Sequence, residues 1–221
     1  MHEALLSERS EFFTSASKEE WKEGQEHRVP LPDDAPSVVD LYVQWIYGGR
    51  ILSGRIPVEE ETDEQEYKNG SQFDILIGGF VFGEKIQDGN FKDAVIDALI
   101  HTVKTPYEKG VCYYPTKNWV DQAYVGTPEG SPIRRLLVDM YKHHGRDEWL
   151  DDQKNVEFLA ELAGDLLMDR RKKQEEYQNP TDREVSSCQY HHHGKEDACY
   201  SDKIPKCVSG GSGTVAGGFQ F

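Results

Sequence analysis

Leu41-Tyr42-Val43-Gln44-Trp45-Ile46-Tyr47-Gly48-Gly49-Arg50 is an apolar, aromatic segment that stops on two glycines. Extended back to Val38, it places Val38, Tyr42, Trp45 and Ile46 on one stripe at helical spacing, the pattern of a helix with one buried face. Asp34 can cap its start, Pro36 suits its first turn, and Gly48-Gly49 ends it. Immediately upstream, Val29-Pro30-Leu31-Pro32 reads as a short edge strand, because its prolines cannot donate to a central ladder. Immediately downstream, Ile51-Leu52 reads as a second short strand.

Working outward toward the N-terminus, Leu5, Leu6, Phe12 and Phe13 share one helical face and predict a helix from about Glu3 to Ala16. Toward the C-terminus the apolar pattern vanishes between Ser53 and Ser71, where six of the eight residues Glu59 to Glu66 are acidic. Such a stretch buries too little apolar area to offset chain ordering, and predicts a solvated disordered loop over 53–71. Order resumes with Phe73, Leu76, Ile77, Phe80 and Val81 at helix positions. Phe91, Ala94, Val95, Ala98, Leu99 and Val103 follow after Asn90 as a candidate cap, so the two segments predict a helical hairpin. Thr116 opens a short helix bearing Trp119, Val120, Ala123 and Tyr124. Ser131-Pro132 opens another, with Ile133, Leu136, Leu137, Met140 and Tyr141 inward and Gly145 at its end. Leu159, Leu162, Ala163, Leu166 and Leu167 define the last clear helix, and Arg170-Arg171-Lys172-Lys173 complements the negative end of its dipole. Beyond Pro180 the chain turns polar, and Ser209-Gly210-Gly211-Ser212-Gly213 reads as a flexible tail.

Hydrophobic residues make up 37% of the 221 with Tyr counted; counting Gly and leaving out Tyr gives about 41%, below the usual share of roughly 45–50%, so part of the chain stays outside a single core. The formal charge of −15 argues against nucleic acid and anionic membrane surfaces, since phosphate binding needs clustered Lys and Arg. The longest apolar run, Ile75 to Phe82, falls far short of the ~20 residues that span a bilayer. Met1-His2-Glu3-Ala4 carries acid early with no basic-then-apolar segment behind it, which is not a signal peptide. An intracellular, cytoplasmic or nuclear location is the expectation. There the four cysteines point away from disulfides and toward metal or plain thiols.

Chemistry-bearing patterns are sparse. No Gly-x-Gly-x-x-Gly, P-loop, Gly-x-Ser-x-Gly or His-Glu-x-x-His pattern occurs, so the expectation is a protein that is not an enzyme. His143 and His144 read as a helix end, and Tyr42, Trp45, Trp119 and Tyr124 as core. The candidate metal ligands lie in the tail: Cys188, His191, His193, Cys199 and Cys207. Thiolates and imidazoles are the ligands zinc prefers, a tetrahedral site needs four, and Cys188 and His191 have the two-residue gap of a ligand pair. The later gaps match no strong zinc template, so a zinc site and a disordered tail both remain open.

The order of these pieces resembles the BTB/POZ family, particularly its fungal branch. His2-Glu3-Ala4-Leu5-Leu6-Ser7-Glu8-Arg9-Ser10-Glu11-Phe12-Phe13 is similar to the family's first helix. Trp21-Lys22-Glu23-Gly24-Gln25 followed by Val29-Pro30-Leu31-Pro32 is similar to its next loop and strand. Leu41 to Arg50 resembles the helix-to-glycine segment and is the most specific stretch. Phe91 to Leu99 and Thr127-Pro128-Glu129-Gly130-Ser131-Pro132-Ile133 to Asp139 resemble the fungal form of the remainder.

The resemblance covers residues 1–145 and implies an α/β fold there, mostly helical with a small sheet; the residues beyond read as a helical extension over 146–178 and a flexible Cys/His-containing tail over 179–221. Family members begin with a β-hairpin ahead of the segment matching His2, so the resemblance implies a domain truncated at its N-terminus, with a swapped homodimer put in question. It implies a protein–protein interaction module with two competing roles. One is a substrate adaptor for a cullin-type ubiquitin ligase, with Trp21, Glu23 and Phe13 as partner-binding residues. The other is a self-associating scaffold, a homo-oligomer without a ligase link. A zinc-stabilised tail could accompany either.

Overall fold

The computed structural model describes residues 3–51, 64–105, 112–169, 187–194 and 197–203. Among these described residues ten α-helices run in order: α1 (Glu3–Arg9), α2 (Glu11–Ala16), α3 (Lys22–Glu26), α4 (Pro36–Gly48), α5 (Glu64–Ile86), α6 (Gly89–Lys104), α7 (Lys117–Gly126), α8 (Pro132–His144), α9 (Val156–Asp169) and α10 (Tyr200–Lys203). Short 3-10 turns cover Asp147–Leu150 and Ser187–Tyr190. No helix among the described residues is long and apolar enough to cross a membrane.

Among the described residues there is no strand, and the expected α/β fold with a small sheet is corrected to an all-helical one. Val29-Pro30-Leu31-Pro32 is an irregular connection between α3, which ends on His27 at φ 48°, and α4. Its two prolines remove donors, and among the described residues no strand pairs with it, so its apolar residues pack as loop side chains against the helices. Ile51 is likewise irregular, and Leu52 lies outside the described residues. Of the expected acidic loop, residues 53–63 lie outside the described residues, while α5 begins within the rest, at Glu64.

The hub is α5, packed against α4, α6 and α7; α8 pairs with α9 and also meets α7. Pro36 starts α4, whose Val38, Leu41, Tyr42, Trp45 and Ile46 are buried, and Gly49 ends it at φ 66° with its N–H on the Trp45 carbonyl at 2.8 Å. Asp34 does not cap this helix; its carboxylate takes Lys85 Nζ at 2.6 Å and ties the approach to α5. The expected hairpin of α5 and α6 is present. Its cap is Asp88 in place of Asn90: one carboxylate oxygen accepts the Phe91 N–H at 2.9 Å and the other the Tyr42 hydroxyl at 3.1 Å. Since α6 is buried around most of its circumference, even Lys92, Asp93 and Thr102 on it are covered.

The single helix expected over 3–16 divides at Ser10, which is extended at φ −129° and ψ 122°. Its buried hydroxyl accepts the Phe13 N–H at 3.2 Å, as an N-cap does, and donates to the Ile86 carbonyl at 2.5 Å. One side chain therefore starts α2 and satisfies a carbonyl at the far end of α5. On the other side of the core, buried Arg134 of α8 binds α7 and α9 together. It donates to Thr127 Oγ1 at 3.1 Å, the Tyr124 carbonyl at 2.6 Å and Glu157 at 2.8 Å, with its guanidinium 4.4 Å above the Tyr124 ring. Phe158 and Leu162 of α9 enter the same core, so the helical extension and the preceding helices share one hydrophobic interior.

Candidate metal centre

Asp93 and Asp97 stand one turn apart on α6 and present two carboxylates on the same face. On a helix buried around most of its circumference each needs donors, and the segment 187–203 brings them. The His192 backbone N–H reaches Asp93 at 2.8 Å and its imidazole Nδ1 reaches the same oxygen at 3.1 Å. The hydroxyls of Ser187 and Tyr200 both donate to Asp97, and His191 Nε2 lies 3.1 Å from it. Burial works against the charge on Asp97, but these donors, His191 first, outweigh it and leave the carboxyl below its ordinary range. Tyr190 adds a hydroxyl bond of 2.7 Å to Asp139 on α8. Part of the stretch expected to be flexible is thus seated on α6 and α8 by three carboxylates, and Tyr200 places its ring edge-on against Trp45 at 5.5 Å between centroids.

Seating the segment this way gathers Cys188, His191, His193 and Cys199, whose ligand atoms all lie within 4.8 Å of one another. The hydrogen bonds choose the tautomers. His191 gives its Nε2–H to Asp97, which leaves Nδ1 bare; His193 must donate Nδ1–H to the Gly194 carbonyl at 3.0 Å, which leaves Nε2 bare. Those two bare nitrogens face each other at 3.3 Å, and Cys199 Sγ stands 3.4 Å from His191 Nδ1. Lone pairs so close repel unless a proton or a cation lies among them. A tetrahedral ion with metal–nitrogen bonds of about 2.0–2.1 Å and metal–sulfur bonds of about 2.3 Å has ligand–ligand edges of roughly 3.3–3.8 Å, and the two short separations fall in that range. Asp97 behind His191 supplies the carboxylate that fixes ring orientation and raises ligand basicity in such sites. The group could therefore hold a metal ion.

Of the candidate ligands from the sequence, four come together and Cys207 lies outside the described residues. His191 and Cys199 are buried, whereas Cys188 is exposed and His193 half-buried, so the cluster sits where the segment meets the core. The candidate partner-binding residues are divided. Trp21 is 59% exposed at the start of α3, with Glu23 partly exposed in its first turn. Phe13 is buried and stacks on Tyr42 at 6.2 Å between centroids. Sequence reasoning missed Asp93, Asp97 and Arg134. The available signal for the first two was a pair of acids one turn apart amid Ala94, Val95, Ile96, Ala98 and Leu99.

No family model, no curated protein and no solved structure matches the chain.

Proposed function

We propose that this chain is a protein-interaction module, not an enzyme, whose C-terminal segment is stapled to its helical core by one structural zinc ion. The observation that carries the reading is the Cys2His2 group of Cys188, His191, His193 and Cys199, with both histidines held in the ligating tautomer by acceptors behind them. Four protein ligands fill a tetrahedral shell and leave no place for water or substrate, which is the arrangement of a structural ion; catalytic zinc keeps a position open. Bound zinc would offset the lone-pair repulsion and convert its binding free energy into folding free energy for residues 187–203. Protein purified without chelator and supplied with zinc should carry about one ion per chain by elemental analysis. Cys199→Ser should lose it, and Asp97→Asn should weaken binding by about 10–100-fold, the usual effect of removing a carboxylate behind a ligating histidine. A chain that stays metal-free under these conditions overturns the zinc staple.

A second reading, the cullin-type ligase adaptor, is favoured by the exposure of Trp21 with Glu23 two residues on. A large aromatic anchor supplies much of the affinity in many interfaces, and a neighbouring acid fixes orientation. Calorimetry of the wild type and of Trp21→Ala combined with Glu23→Ala against a cullin tests it. Absence of wild-type binding, or equal binding by the folded double variant, rejects the adaptor role.

A further inference from the structure

Two of the four candidate ligands are sulfurs of unequal access. Cys188, on the 3-10 turn Ser187–Tyr190, is exposed, whereas Cys199, just ahead of α10, is buried with 7% of its surface open. Both are free thiols, and their Sγ atoms belong to the group whose ligand atoms lie within 4.8 Å of one another. Cys199 is pinned, because its Sγ stands 3.4 Å from His191 Nδ1 and His191 is in turn held by Asp97. Cys188 sits at the rim, where it can close the gap to the roughly 2.05 Å of a sulfur–sulfur bond while its partner stays in place.

We infer that Cys188 and Cys199 are an oxidation site for hydroperoxides, at which a disulfide and a bound metal ion exclude each other. The inference rests on the zinc centre proposed above. A thiol that coordinates a metal ion is deprotonated outright, and the thiolate is the nucleophile of sulfur chemistry. Zinc has no redox chemistry of its own, so the electrons come from the sulfurs. The exposed Cys188 thiolate attacks the terminal peroxide oxygen: the S–O bond forms, the O–O bond breaks, and hydroxide leaves, or alkoxide from an alkyl hydroperoxide. The Cys199 thiolate then attacks the sulfenic sulfur of Cys188; the S–S bond forms and hydroxide leaves. The two thiolates have given up two electrons, the peroxide has taken them, and water supplies the protons that neutralise both leaving groups. Burial of Cys199 decides the product. The sulfenic acid has a thiolate within 4.8 Å, which captures it before a second peroxide carries it on to irreversible sulfinic acid. Joining the sulfurs removes two of four ligands and both of their charges, and the two neutral imidazoles left behind release the ion. With no cation between His191 Nδ1 and His193 Nε2 at 3.3 Å, the half-buried His193 turns outward. The segment's hold on the core then passes to Asp93, Asp97 and Asp139.

The test uses the full wild-type chain supplied with zinc, its zinc content measured first, then titrated with hydrogen peroxide. A chromogenic zinc indicator follows the ion, and peptide mapping by mass spectrometry follows each cysteine. About one zinc should leave for each Cys188–Cys199 bond that forms, and a reducing dithiol with added zinc should reverse both changes. A 1,3-diketone that traps sulfenic acids should mark Cys188 and leave Cys199 unmarked. Zinc retained beside two intact thiols overturns the oxidation site and leaves the zinc centre standing. A chain without zinc before the peroxide is added overturns the zinc centre, and the exclusion falls with it. A Cys188–Cys199 bond formed with zinc still in place overturns the exclusion while leaving the zinc centre standing. Sulfinic acid in place of that bond, or a bond from either sulfur to Cys112, Cys207 or a second chain, overturns the pairing. A trap adduct on Cys199 overturns the assignment of Cys188 as the sulfur that meets the peroxide.

Discussion

Trp45 is buried where four elements meet. The Arg9 guanidinium lies 5.3 Å from its ring centroid, and Phe91 and Tyr200 approach at 6.3 and 5.5 Å. Truncation there leaves a large void with rigid helices on several sides, and Trp45→Ala should cost about 3–5 kcal/mol in a urea titration. An unchanged midpoint would place the indole outside the core. Asp88, also fully buried, makes the fold sensitive to pH. Burial raises its pKa, and the Phe91 N–H, the Tyr42 hydroxyl and Arg9 only partly pull it back. A carboxyl with a raised folded pKa stabilises the fold when protonated. That contribution is complete below the unfolded-state value and is lost as pH rises through the folded one. Asp88→Asn keeps an acceptor for the helix cap and removes the titration. Wild-type stability should fall over that acidic interval relative to the variant; parallel pH profiles for the two proteins exclude Asp88 as the source.

At the scale of elements, close approach between helices depends on where side chains are missing. Gly126, the last residue of α7, lies against Val81 of α5, and a Cβ there would meet both Val81 methyl carbons at 2.5 Å. The valine is β-branched and stiff at χ1, so the helices must part to admit a methyl group. Gly126→Ala should cost about 1–3 kcal/mol, the range for overpacking, and Val81→Ala in the same chain should recover part of it. Thermal melts of the four proteins of this cycle measure the coupling; additive effects would show that the two residues do not meet. The same dependence on neighbours divides α1 from α2. Periodicity continues through Ser10, but its hydroxyl bonds to a carbonyl 76 residues away, and no local pattern encodes that.

At the scale of the molecule, residues 187–203 close over α6 and complete the surroundings of Trp45 through Tyr200. If zinc holds this segment, a chelator should release it. The melting temperature should then drop, and trypsin should cut this segment faster than in the zinc-loaded chain, with zinc restoring both. Equal digestion rates with and without chelator would show that the carboxylates of Asp93, Asp97 and Asp139 seat the segment unaided.

Local chemistry was enough to determine the helices of the core. Pro36 and Gly49 bound α4, apolar residues at three- and four-residue steps mark α5 through α9, and the clustered Cys and His residues name their own ligand chemistry. These depend on intervals of a few residues, within which backbone geometry alone relates one side chain to the next. Whether Val29 to Pro32 would pair, and which acids would hold the imidazoles, depended on neighbours far along the chain. Among the described residues the first found no strand to pair with, and the expected sheet is absent there. The second were set by Asp93 and Asp97, which meet His192 and His191 across 99 and 94 residues. Likewise, Glu157, Glu161, Asp165 and Asp169 flank the buried Phe158 and Leu162 of α9, and only the packed structure brings Arg134, Tyr124 and Lys142 to them. Hydrophobic period locates a helix and its stripe. Which charges and hydroxyls then meet it is decided by packing between segments far apart in the chain.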